Sequence, residues 1–441
     1  MSLPTQEKVE KLQQALHAKA KRSPEFRFYS LYDKMYRSDV LWLAWERCRE
    51  NGGAAGVDGE TFEQIAEYGA ERWREELASE LRTKEYRTSA VRRVWIEKAG
   101  GGTRPLGIPT IRDRVVQTAM LLVIEPIFEA DLEPEQHAYR EGKSAHEAVR
   151  AVHTLVNNGH TEVVDADLSG YFDSIPHPEL MKSVARRISD KQILRLIKMW
   201  LTVPVEEFDD RGTGHRTTRS KDERRGTPQG APVSPLLSNL YMRRFVLGWK
   251  RLGYAQRFGA RIVNYADDFV ICCRGHAEQA CEAMRAIMQR IRLTVNEEKT
   301  RVCRLPEHSF DFLGYTIGRC YSPKTGRAYI GTRPRAKAVA AARDRIRKLT
   351  ERRWTSRSLE GQVELINRIL IGWSNYFCLG PVSSAYHALD EYACDRLRQW
   401  LRAKHKVRGR GMTRYPNAYL HREVGLVRLT ARTRGLSWAK A

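Results

Sequence analysis

Two adjacent carboxylates stand in the middle of an otherwise apolar run, and this feature restricts the possible fold more than any other. The run 262-IVNYADDFVICC-273 has hydrophobic residues on both sides of Asp267 and Asp268. A polar centre between two apolar arms predicts a β-hairpin that emerges from a buried sheet, with the aspartates at its turn. Buried carboxylates lose hydration and repel each other unless a cation or a base compensates. We therefore expect a cation at this turn.

A second stretch places acidic residues on a predicted buried strand. In 163-VVDADLSGYFD-173, side chains alternate with a period of two, so Asp165 and Asp167 share one face. Such carboxylates suit Mg²⁺, which binds a few of them and keeps positions for phosphates and water. Two such ions ~4 Å apart activate a hydroxyl nucleophile and stabilise a phosphate leaving group. The alternative for the paired aspartates is a tight turn with solvated side chains.

The overall composition narrows the class of protein. The 441 residues carry 76 Lys and Arg against 53 Asp and Glu, a formal net charge of +23. A surplus of this size indicates a polyanionic partner. No run approaches the ~18 apolar residues of a membrane span, and the polar start MSLPTQEKVEKLQQ lacks the apolar segment of an export signal. The eight cysteines are scattered without a CxxC pair, which argues against zinc and for a reducing cytosol.

The positive charge is concentrated near the C-terminus. Residues 331–441 hold 24 Lys and Arg against 8 Asp and Glu, and residues 401–441 hold 11 against one. Aromatic and aliphatic residues are mixed into the same stretch, among them Trp400, Tyr415 and Tyr419. Basic groups beside stacking surfaces suit a nucleic-acid backbone and unpaired bases. The alternative is a solvated basic surface without a partner.

The chain alternates between helical and strand-like segments and then becomes helical. We predict helices over 5–21, 33–50, 61–83, 112–130 and 276–292, and a helical pattern from 336 onward. Strands are predicted over 91–98, 163–168 and 262–273, with a further pair in 300–319. Residues 206–226 are predicted as a charged, irregular connection. Pro126 is expected to bend or end its helix, whereas Ser234 and Pro235 are predicted as the N-cap and first residue of another.

An ordered series of segments resembles the motifs of group II intron-encoded reverse transcriptase/maturases. The segments are 51-NGGAAGVDG-59, 98-KAGGGTRPLGIPTIRDRVVQ-117, 139-YREGKSAHEAV-149, 167-DLSGYFD-173, 227-TPQGAPVSPLLSNLYM-242, 265-YADD-268, 296-NEEKT-300, 312-FLGY-315 and 364-ELINRILIGWSNYF-377. The last of them resembles the maturase-specific helix of the family. Where relatives commonly have an aromatic residue followed by Arg-Pro-Gly, this chain has Tyr139-Arg140-Glu141-Gly142.

The resemblance implies an α+β fold: a right-hand polymerase, with fingers and a palm built on an antiparallel catalytic sheet, followed by an all-α thumb/maturase domain. We predict four parts with bounds uncertain by several residues. These are an N-terminal extension with RNA-binding helices over 1–75, the fingers and palm over 76–325, the thumb/maturase domain over 330–400 and a basic nucleic-acid-binding tail over 401–441. We also expect the form of the family that lacks a C-terminal DNA endonuclease domain.

The resemblance assigns roles around the predicted metal centre. Asp167, Asp267 and Asp268 match the catalytic aspartates that bind two Mg²⁺ ions, whereas Asp165 is out of register and is expected to support them. Five further positions match nucleotide contacts, with simple packing, a template-phosphate contact or a surface position as the alternative for several. Phe172 matches the steric gate that excludes a ribose 2′-hydroxyl, and Gln229 packs beside the incoming deoxynucleotide. Lys98 and Arg104 match triphosphate contacts, and Lys299 a proton donor to pyrophosphate.

The remaining assignments concern nucleic acid. Phe312, Leu313 and Gly314 resemble the primer grip. Candidate RNA- and DNA-binding residues are Arg343, Arg347, Lys348, Arg402, Lys404, Lys406, Arg408 and Arg410. Trp373, Asn375, Tyr376 and Phe377 are expected to pack in the thumb core first and to contact RNA second.

The predicted function is RNA-directed DNA synthesis with Mg²⁺ and dNTPs and without zinc. The expected partners are an RNA template, a DNA primer or target, and the chain's group II intron RNA, whose splicing and retrohoming it would assist. No membrane partner is expected, and the predicted location is the bacterial cytosol near the nucleoid. Two alternatives remain: an RNA-binding splicing factor without catalysis, and a reverse transcriptase adopted by the host for defence or repair.

Overall fold

The computed structural model describes residues 5–97, 102–208, 214–322 and 325–433. Five helices form the N-terminal part: α1 (Thr5–Arg22), α2 (Tyr32–Met35), α3 (Ser38–Asn51), α4 (Phe62–Tyr68) and α5 (Ala70–Thr83). The single helix predicted over 61–83 is wrong, because Gly69 adopts a φ of +107° and separates α4 from α5. A capping box between Thr61 and Gln64 starts α4 by satisfying backbone N–H groups at both positions.

A four-stranded sheet and a long buried helix follow. The strands are β1 (Val91–Glu97), β2 (Thr103–Ile108), β4 (Val205–Phe208) and β5 (Gly214–Thr217), and the helix is α6 (Ile111–Glu129). Their spatial order is β2-β1-β4-β5, and β1 pairs in parallel with β4. Helices α1 and α3 both pack on α6, whose side chains are mostly buried. The helix continues three residues past Pro126.

The prediction of an irregular connection over 206–226 is wrong. This region contains most of β4, all of β5 and the short helix α11 (Arg219–Glu223). The two strands have the sequences VEEF and GHRT, and the side chains of β5 are all exposed. Their pairing depends on the neighbouring β1, so the residues themselves carry little of the apolar alternation by which a strand is recognised.

The central sheet carries both predicted acidic segments. It consists of β3 (Glu162–Ala166), β6 (Ala260–Tyr265), β7 (Asp268–Cys273) and β8 (Arg301–Arg304), in the order β6-β7-β3-β8 with antiparallel pairing throughout. The helices of this part are α7 (Ala145–Asn157), α8 (Tyr171–Ser174), α9 (His177–Ala185), α10 (Lys191–Leu201), α12 (Ser234–Arg251), α13 (Tyr254–Arg257) and α14 (Ala277–Arg290). The residue preceding α12 is Val233, so Ser234 is the first helical residue and not the N-cap.

A third sheet leads into the helical C-terminal part. It consists of β9 (Phe310–Phe312), β10 (Tyr315–Tyr321) and β11 (Ala328–Pro334), in the order β11-β10-β9. The helices that follow are α15 (Ala336–Leu349), α16 (Leu359–Tyr376), α17 (Ser383–Lys404), α18 (Asn417–Arg422) and α19 (Leu429–Arg432), with a 3-10 turn at Arg352–Trp354. The prediction of a mixed α and β fold with antiparallel sheets and a helical C-terminal region is confirmed.

The helical part forms one core that continues past residue 400. Helix α17 runs without a break from Ser383 to Lys404. Beyond it, Leu420, Leu426 and Leu429 are buried in the same core as Leu397 and other residues of α17. Packing therefore has no break at the predicted start of the tail, and the four-part domain division stays a prediction. Among the described residues, no helix has both the length and the apolar character to cross a membrane.

Candidate active site

The turn between β6 and β7 is held by one contact within the hairpin and one from outside it. Tyr265 pairs with Asp268 across the turn, and Ala266 adopts a φ of +56°. Left-handed backbone is costly for a residue with a Cβ and persists only where its surroundings enforce it. Here the buried Asn264 side chain donates to the Ala266 carbonyl at 2.8 Å, and the His137 N–H donates to the Asn264 carbonyl at 2.9 Å. These contacts fix the direction of the two aspartates that follow.

Four carboxylates gather at this end of the central sheet: Asp165, Asp167, Asp267 and Asp268, called here the carboxylate cluster. Burial raises the pKa of Asp267, and the charge of Asp167 raises it further. Burial together with the other three carboxylates raises the pKa of Asp268 to about 6, against the opposing charge of Lys299. The structure therefore brings the three predicted catalytic aspartates together, and their mutual repulsion is the electrostatic feature of the site.

Two cations face the cluster. Lys299 Nζ lies 3.1 Å from Asp167 Oδ2, and Arg301 Nε lies 3.3 Å from Asp165 Oδ2. Asp165 is thus committed to Arg301, as its expected supporting role requires. Neither Asp267 nor Asp268 has an ion-pair partner within the described parts of the chain, so the negative charge of the cluster exceeds its compensation.

The donor set fits hard divalent cations. In the described ranges, no three Asp, Glu, His or Cys side chains already converge closely enough to hold one metal ion. Asp267 and Asp268 nevertheless offer carboxylate oxygens without an ion-pair partner among the described residues, next to Asp167, and Mg²⁺ binds through a few carboxylates together with phosphates and water. Asp167, Asp267 and Asp268 are the residues that would hold it.

The segment 296-NEEKT-300 wraps around Asp167. Asn296 Nδ2 donates to Asp167 Oδ2 at 3.2 Å, and the Asn296 N–H donates to the Asp167 carbonyl at 2.8 Å. The Asp167 N–H in turn donates to Thr300 Oγ1 at 3.4 Å. Lys299 thereby lies at the cluster, as predicted, and its exposed ammonium can also reach a ligand bound there.

The predicted gate and the predicted nucleotide turn are joined through the backbone. Phe172 lies on the short helix α8, with its ring packed edge-on to Tyr171 at 5.5 Å between centroids. Its carbonyl accepts from the Thr227 N–H at 2.7 Å. Because Thr227 begins the TPQG turn, the position of the Phe172 ring is fixed relative to Gln229.

The TPQG turn also contacts the hairpin formed by β1 and β2, called here the fingers hairpin, at very short range. The Gly107 N–H on β2 donates to the Gln229 carbonyl at 2.6 Å. A Cβ added at Gly230, where φ is +102°, would lie 2.3 Å from the Gly107 carbonyl oxygen. Glycine at position 230 is therefore required both by its backbone angle and by this contact.

Asp173 is a site residue that sequence reasoning missed. Its Oδ2 accepts from Gln229 Nε2 at 3.3 Å and so orients the amide. Burial raises the pKa of Asp173, which Arg93 and Arg219 oppose. The only signal in the sequence was its place next to Phe172.

The fingers contribute Arg104 on β2, opposite Ile96 of β1. Burial and the charge of Asp267 raise the pKa of Tyr139, whereas Arg104 lowers it, so all three lie within electrostatic range of one another. Tyr139 is a second residue that was missed as part of the site. The other predicted triphosphate contact, Lys98, lies outside the described residues. Arg140 is structural, since its Nε lies 3.0 Å from both carboxylate oxygens of Glu129.

The predicted primer grip forms a turn beside the helical part. Phe312 is buried on β9, and the next two residues, Leu313 at φ +48° and Gly314 at φ +81°, reverse the chain. We call Leu313 and Gly314 the primer-grip turn. It contacts the C-terminal end of α16, where Tyr376 Oη donates to the Leu313 carbonyl at 2.8 Å.

The eight predicted RNA- and DNA-binding residues differ in their contacts. Arg343 stacks over Tyr392, and both Arg347 and Lys348 pair with Asp344. Lys404 donates to the carbonyl oxygens of Thr355 and Arg357 at 3.0 and 2.7 Å, and the Nε of Arg402 is buried without a hydrogen-bond partner among the described atoms. Six of the eight are exposed: Arg343, Arg347 and Lys348 on α15, and Lys406, Arg408 and Arg410 after the end of α17.

The carboxylate turn, the gate and the cation-bearing fingers hairpin define the class of protein as a nucleotidyltransferase with the right-hand polymerase fold. The family described as "Reverse transcriptase (RNA-dependent DNA polymerase)" matches residues 96–317, and "Group II intron, maturase-specific domain" matches residues 339–416. The first match covers half of the chain, so the chain belongs to the reverse transcriptase family and carries a maturase-specific domain. The predicted family, polymerase class and maturase domain are thereby confirmed.

Individual relatives agree with this assignment. Protein YkfC of Escherichia coli is 34% identical over 297 residues, covering 59% of this chain and 75% of YkfC. The uncharacterized 91 kDa protein in the cob intron of Schizosaccharomyces pombe is 26% identical over 424 residues, 78% of this chain and 50% of that protein. The group II intron-encoded protein LtrA of Lactococcus lactis is 26% identical over 355 residues, 66% of this chain and 57% of LtrA. The chain thus spans little more than half the length of the last two.

The contact between the TPQG turn and the fingers yields a prediction. Gly230→Ala should displace either Gln229 or the β1–β2 hairpin and raise the KM for dNTP by about tenfold to 100-fold, since small misplacements at a reacting centre are costly. The measurement is steady-state primer extension at varied dNTP concentration.

Gly159→Ala is the matched control, because Gly159 has a similar φ of +89° but nothing within 4 Å of an added Cβ. Equal KM values in the two variants would show that backbone strain alone, and not the contact with Gly107, determines the effect.

Proposed function

We propose that this chain extends a DNA primer on an RNA template with two Mg²⁺ ions, and that it binds its group II intron RNA as a maturase that assists splicing and retrohoming. The observation that carries the proposal is the undercompensated carboxylate cluster, which lies beside the gate, the TPQG turn and the cation of the fingers hairpin. The proposal includes a cytoplasmic, nucleoid-associated setting, which the basic charge of the chain supports.

In the reaction, the primer 3′-oxygen bonds to the α-phosphorus of the dNTP, and the bond from that phosphorus to the leaving pyrophosphate breaks. Asp167, Asp267 and Asp268 would hold the Mg²⁺ ions, which would supply positive charge that favours loss of the primer hydroxyl proton to water and stabilises the leaving pyrophosphate. Arg104 adds positive charge at the triphosphate, where charge develops during transfer. The exposed ammonium of Lys299, 3.1 Å from Asp167 Oδ2, would be placed to protonate the leaving pyrophosphate.

Substrate choice follows from the surfaces around this centre. The Phe172 ring would occupy the space of a ribose 2′-hydroxyl and so favour deoxynucleotides. Gln229, oriented by Asp173, would contact the nascent base pair, and the primer-grip turn would hold the primer end. The helical part with its basic residues would then bind the product duplex and intron RNA, while the chemistry of splicing belongs to the RNA.

The first test of the proposal removes the cluster. Asp267→Asn/Asp268→Asn keeps the side-chain volumes but removes both charges, so extension of a DNA primer on an RNA template with Mg²⁺ should fall below detection. Wild type is measured in parallel, and an unchanged melting temperature and RNA affinity show that the variant is folded. Absence of synthesis by folded, RNA-binding wild type would favour the splicing factor without catalysis.

The gate assignment gives a second prediction. Phe172→Ala should open the space beside the sugar and lower discrimination between dNTP and rNTP by about tenfold or more, since a filled or vacated pocket changes selectivity by such factors. The measurement is the ratio of kcat/KM for matched dNTP and rNTP. Phe172→Tyr keeps the ring and should keep the discrimination; equal discrimination in the alanine variant would remove the gate assignment.

The exposed basic residues give a third prediction. Lys406→Ala/Arg408→Ala/Arg410→Ala should weaken RNA binding and lower the slope of log Kd against log salt by about two, since each phosphate contact contributes 0.7–0.9. The probe is the transcript that surrounds the coding sequence.

The matched control for this prediction is Arg251→Ala/Arg257→Ala/Arg261→Ala, which removes the same charge from exposed positions on α12, α13 and β6. An identical salt slope in the two triple variants would show that net charge alone, and not the segment after α17, sets RNA affinity.

A further inference from the structure

Tyr376, the last residue of α16, joins three elements through both of its polar groups. Its hydroxyl donates to the carbonyl of Leu313 at 2.8 Å. Its own carbonyl accepts from the Tyr315 hydroxyl and from His146 Nε2, the latter at 2.5 Å. The end of α16 is therefore connected to the primer-grip turn, to β10 behind that turn and to α7 of the palm.

The primer-grip turn depends on this contact for its shape. Leu313 has a φ of +48°, a conformation that an L-residue with a large side chain holds only when its surroundings enforce it. At Gly314 an added Cβ would lie 3.2 Å from Cζ of Phe377, so the end of α16 also presses on the second residue of the turn. The Gly314 carbonyl accepts from the Arg335 N–H at 3.0 Å just before α15. Both residues of the turn are thus contacted by the helical part, Leu313 by the end of α16 and Gly314 by the residue that precedes α15.

Tyr376 also lies near the carboxylate cluster. Burial, Tyr265 and the charge of Asp268 together raise the pKa of Tyr376 to about 12. Tyr376 keeps 36% of its surface exposed. A single side chain of the maturase-specific helix therefore lies within electrostatic range of the turn that carries Asp268 and is hydrogen-bonded to the turn predicted to hold the primer.

We propose that Tyr376 is a positioning residue that couples the helical C-terminal part to the primer-grip turn, so that the contact with α16 determines how firmly this turn retains the primer beside the carboxylate cluster. The inference deepens the proposed polymerase function and rests on it. Without the hydroxyl, the Leu313 carbonyl loses its donor, and the left-handed turn can relax away from the primer backbone. The effect then falls on retention of the primer, while the residues that perform phosphoryl transfer are unchanged.

The test is Tyr376→Phe, which removes the hydroxyl and keeps the ring over Gly314. We expect the primer–template to dissociate about three- to tenfold faster, as the loss of one net hydrogen bond implies. The number of nucleotides added per binding event should fall by a similar factor. The KM for dNTP and the single-turnover rate of bound complexes should stay at wild-type values. The probe is a DNA primer annealed to an RNA template, with a heparin trap for dissociated enzyme.

Tyr392→Phe is the matched control, because Tyr392 lies on α17 and packs on Arg343 instead of the primer-grip turn. His146→Ala removes the hydrogen bond to the Tyr376 carbonyl. It should therefore also speed dissociation of the primer–template and lower the number of nucleotides added per binding event, by a smaller factor. Wild-type dissociation and processivity in Tyr376→Phe, with wild type itself extending primers, would overturn the inference. So would a loss confined to the single-turnover rate. Failure of wild type to extend primers would instead contradict the proposed function.

Discussion

The crowding of four carboxylates at one end of a single sheet is the constraint on which the rest of the structure depends. Loss of hydration, and after it the repulsion of the other three carboxylates, raises the pKa of Asp268 to about 6. Among the described residues, the ion pairs of the cluster are those of Lys299 with Asp167 and of Arg301 with Asp165, so both lie on the side of β3. The protein therefore has to hold Asp267 and Asp268 in place through backbone contacts, and Asn264 and the strained Ala266 do so from within the hairpin. Because its carboxylates repel each other, the site is suited to bind cations. Such cations would also contact the phosphates of the proposed substrate.

The same requirement for fixed geometry explains the close approaches around the cluster. The gate, the TPQG turn and the fingers hairpin are linked in series by backbone hydrogen bonds, from the Phe172 carbonyl to Thr227 and from the Gln229 carbonyl to Gly107. These backbone hydrogen bonds bring two segments of the chain into direct contact. A side chain does not fit between the segments, and glycine therefore occupies positions 107 and 230. These segments are thus positioned by their main chain, which leaves the side chains of Phe172 and Gln229 out of these bonds, as their proposed contacts with substrate require.

Local sequence patterns predicted the elements of this arrangement that depend on one segment of the chain alone. The hairpin over 262–273 and the strand before Asp167 are marked by apolar runs of strand length, and their pairing follows from burial. Strands β4 and β5 could not be predicted, because charged residues occupy them and the neighbouring β1 supplies the pairing. The contacts of Asp173 with Gln229 and of Tyr376 with Leu313 join residues more than fifty positions apart. The apolar periodicity of the sequence carries no information about such long-range contacts. Only the resemblance to a family indicated that these segments lie near the site.

Net charge predicted a polyanionic partner, which the maturase-specific domain supports, whereas the individual contact residues stay a prediction. Some positive side chains of this protein stabilise the fold and others are exposed to solvent, and composition alone does not distinguish the two groups. Lys404 and Arg402 belong to the packing of α17, where a long apolar stem and a few donors to backbone carbonyls stabilise the fold. Lys406, Arg408 and Arg410 follow directly after that helix and are exposed. Because Leu420, Leu426 and Leu429 return the chain to the core of the helical part, this basic segment is attached to the core at both ends. A basic segment tied down in this way presents its charges at fixed positions relative to α16, and so a duplex or structured RNA bound there would meet the primer-grip turn in one defined orientation.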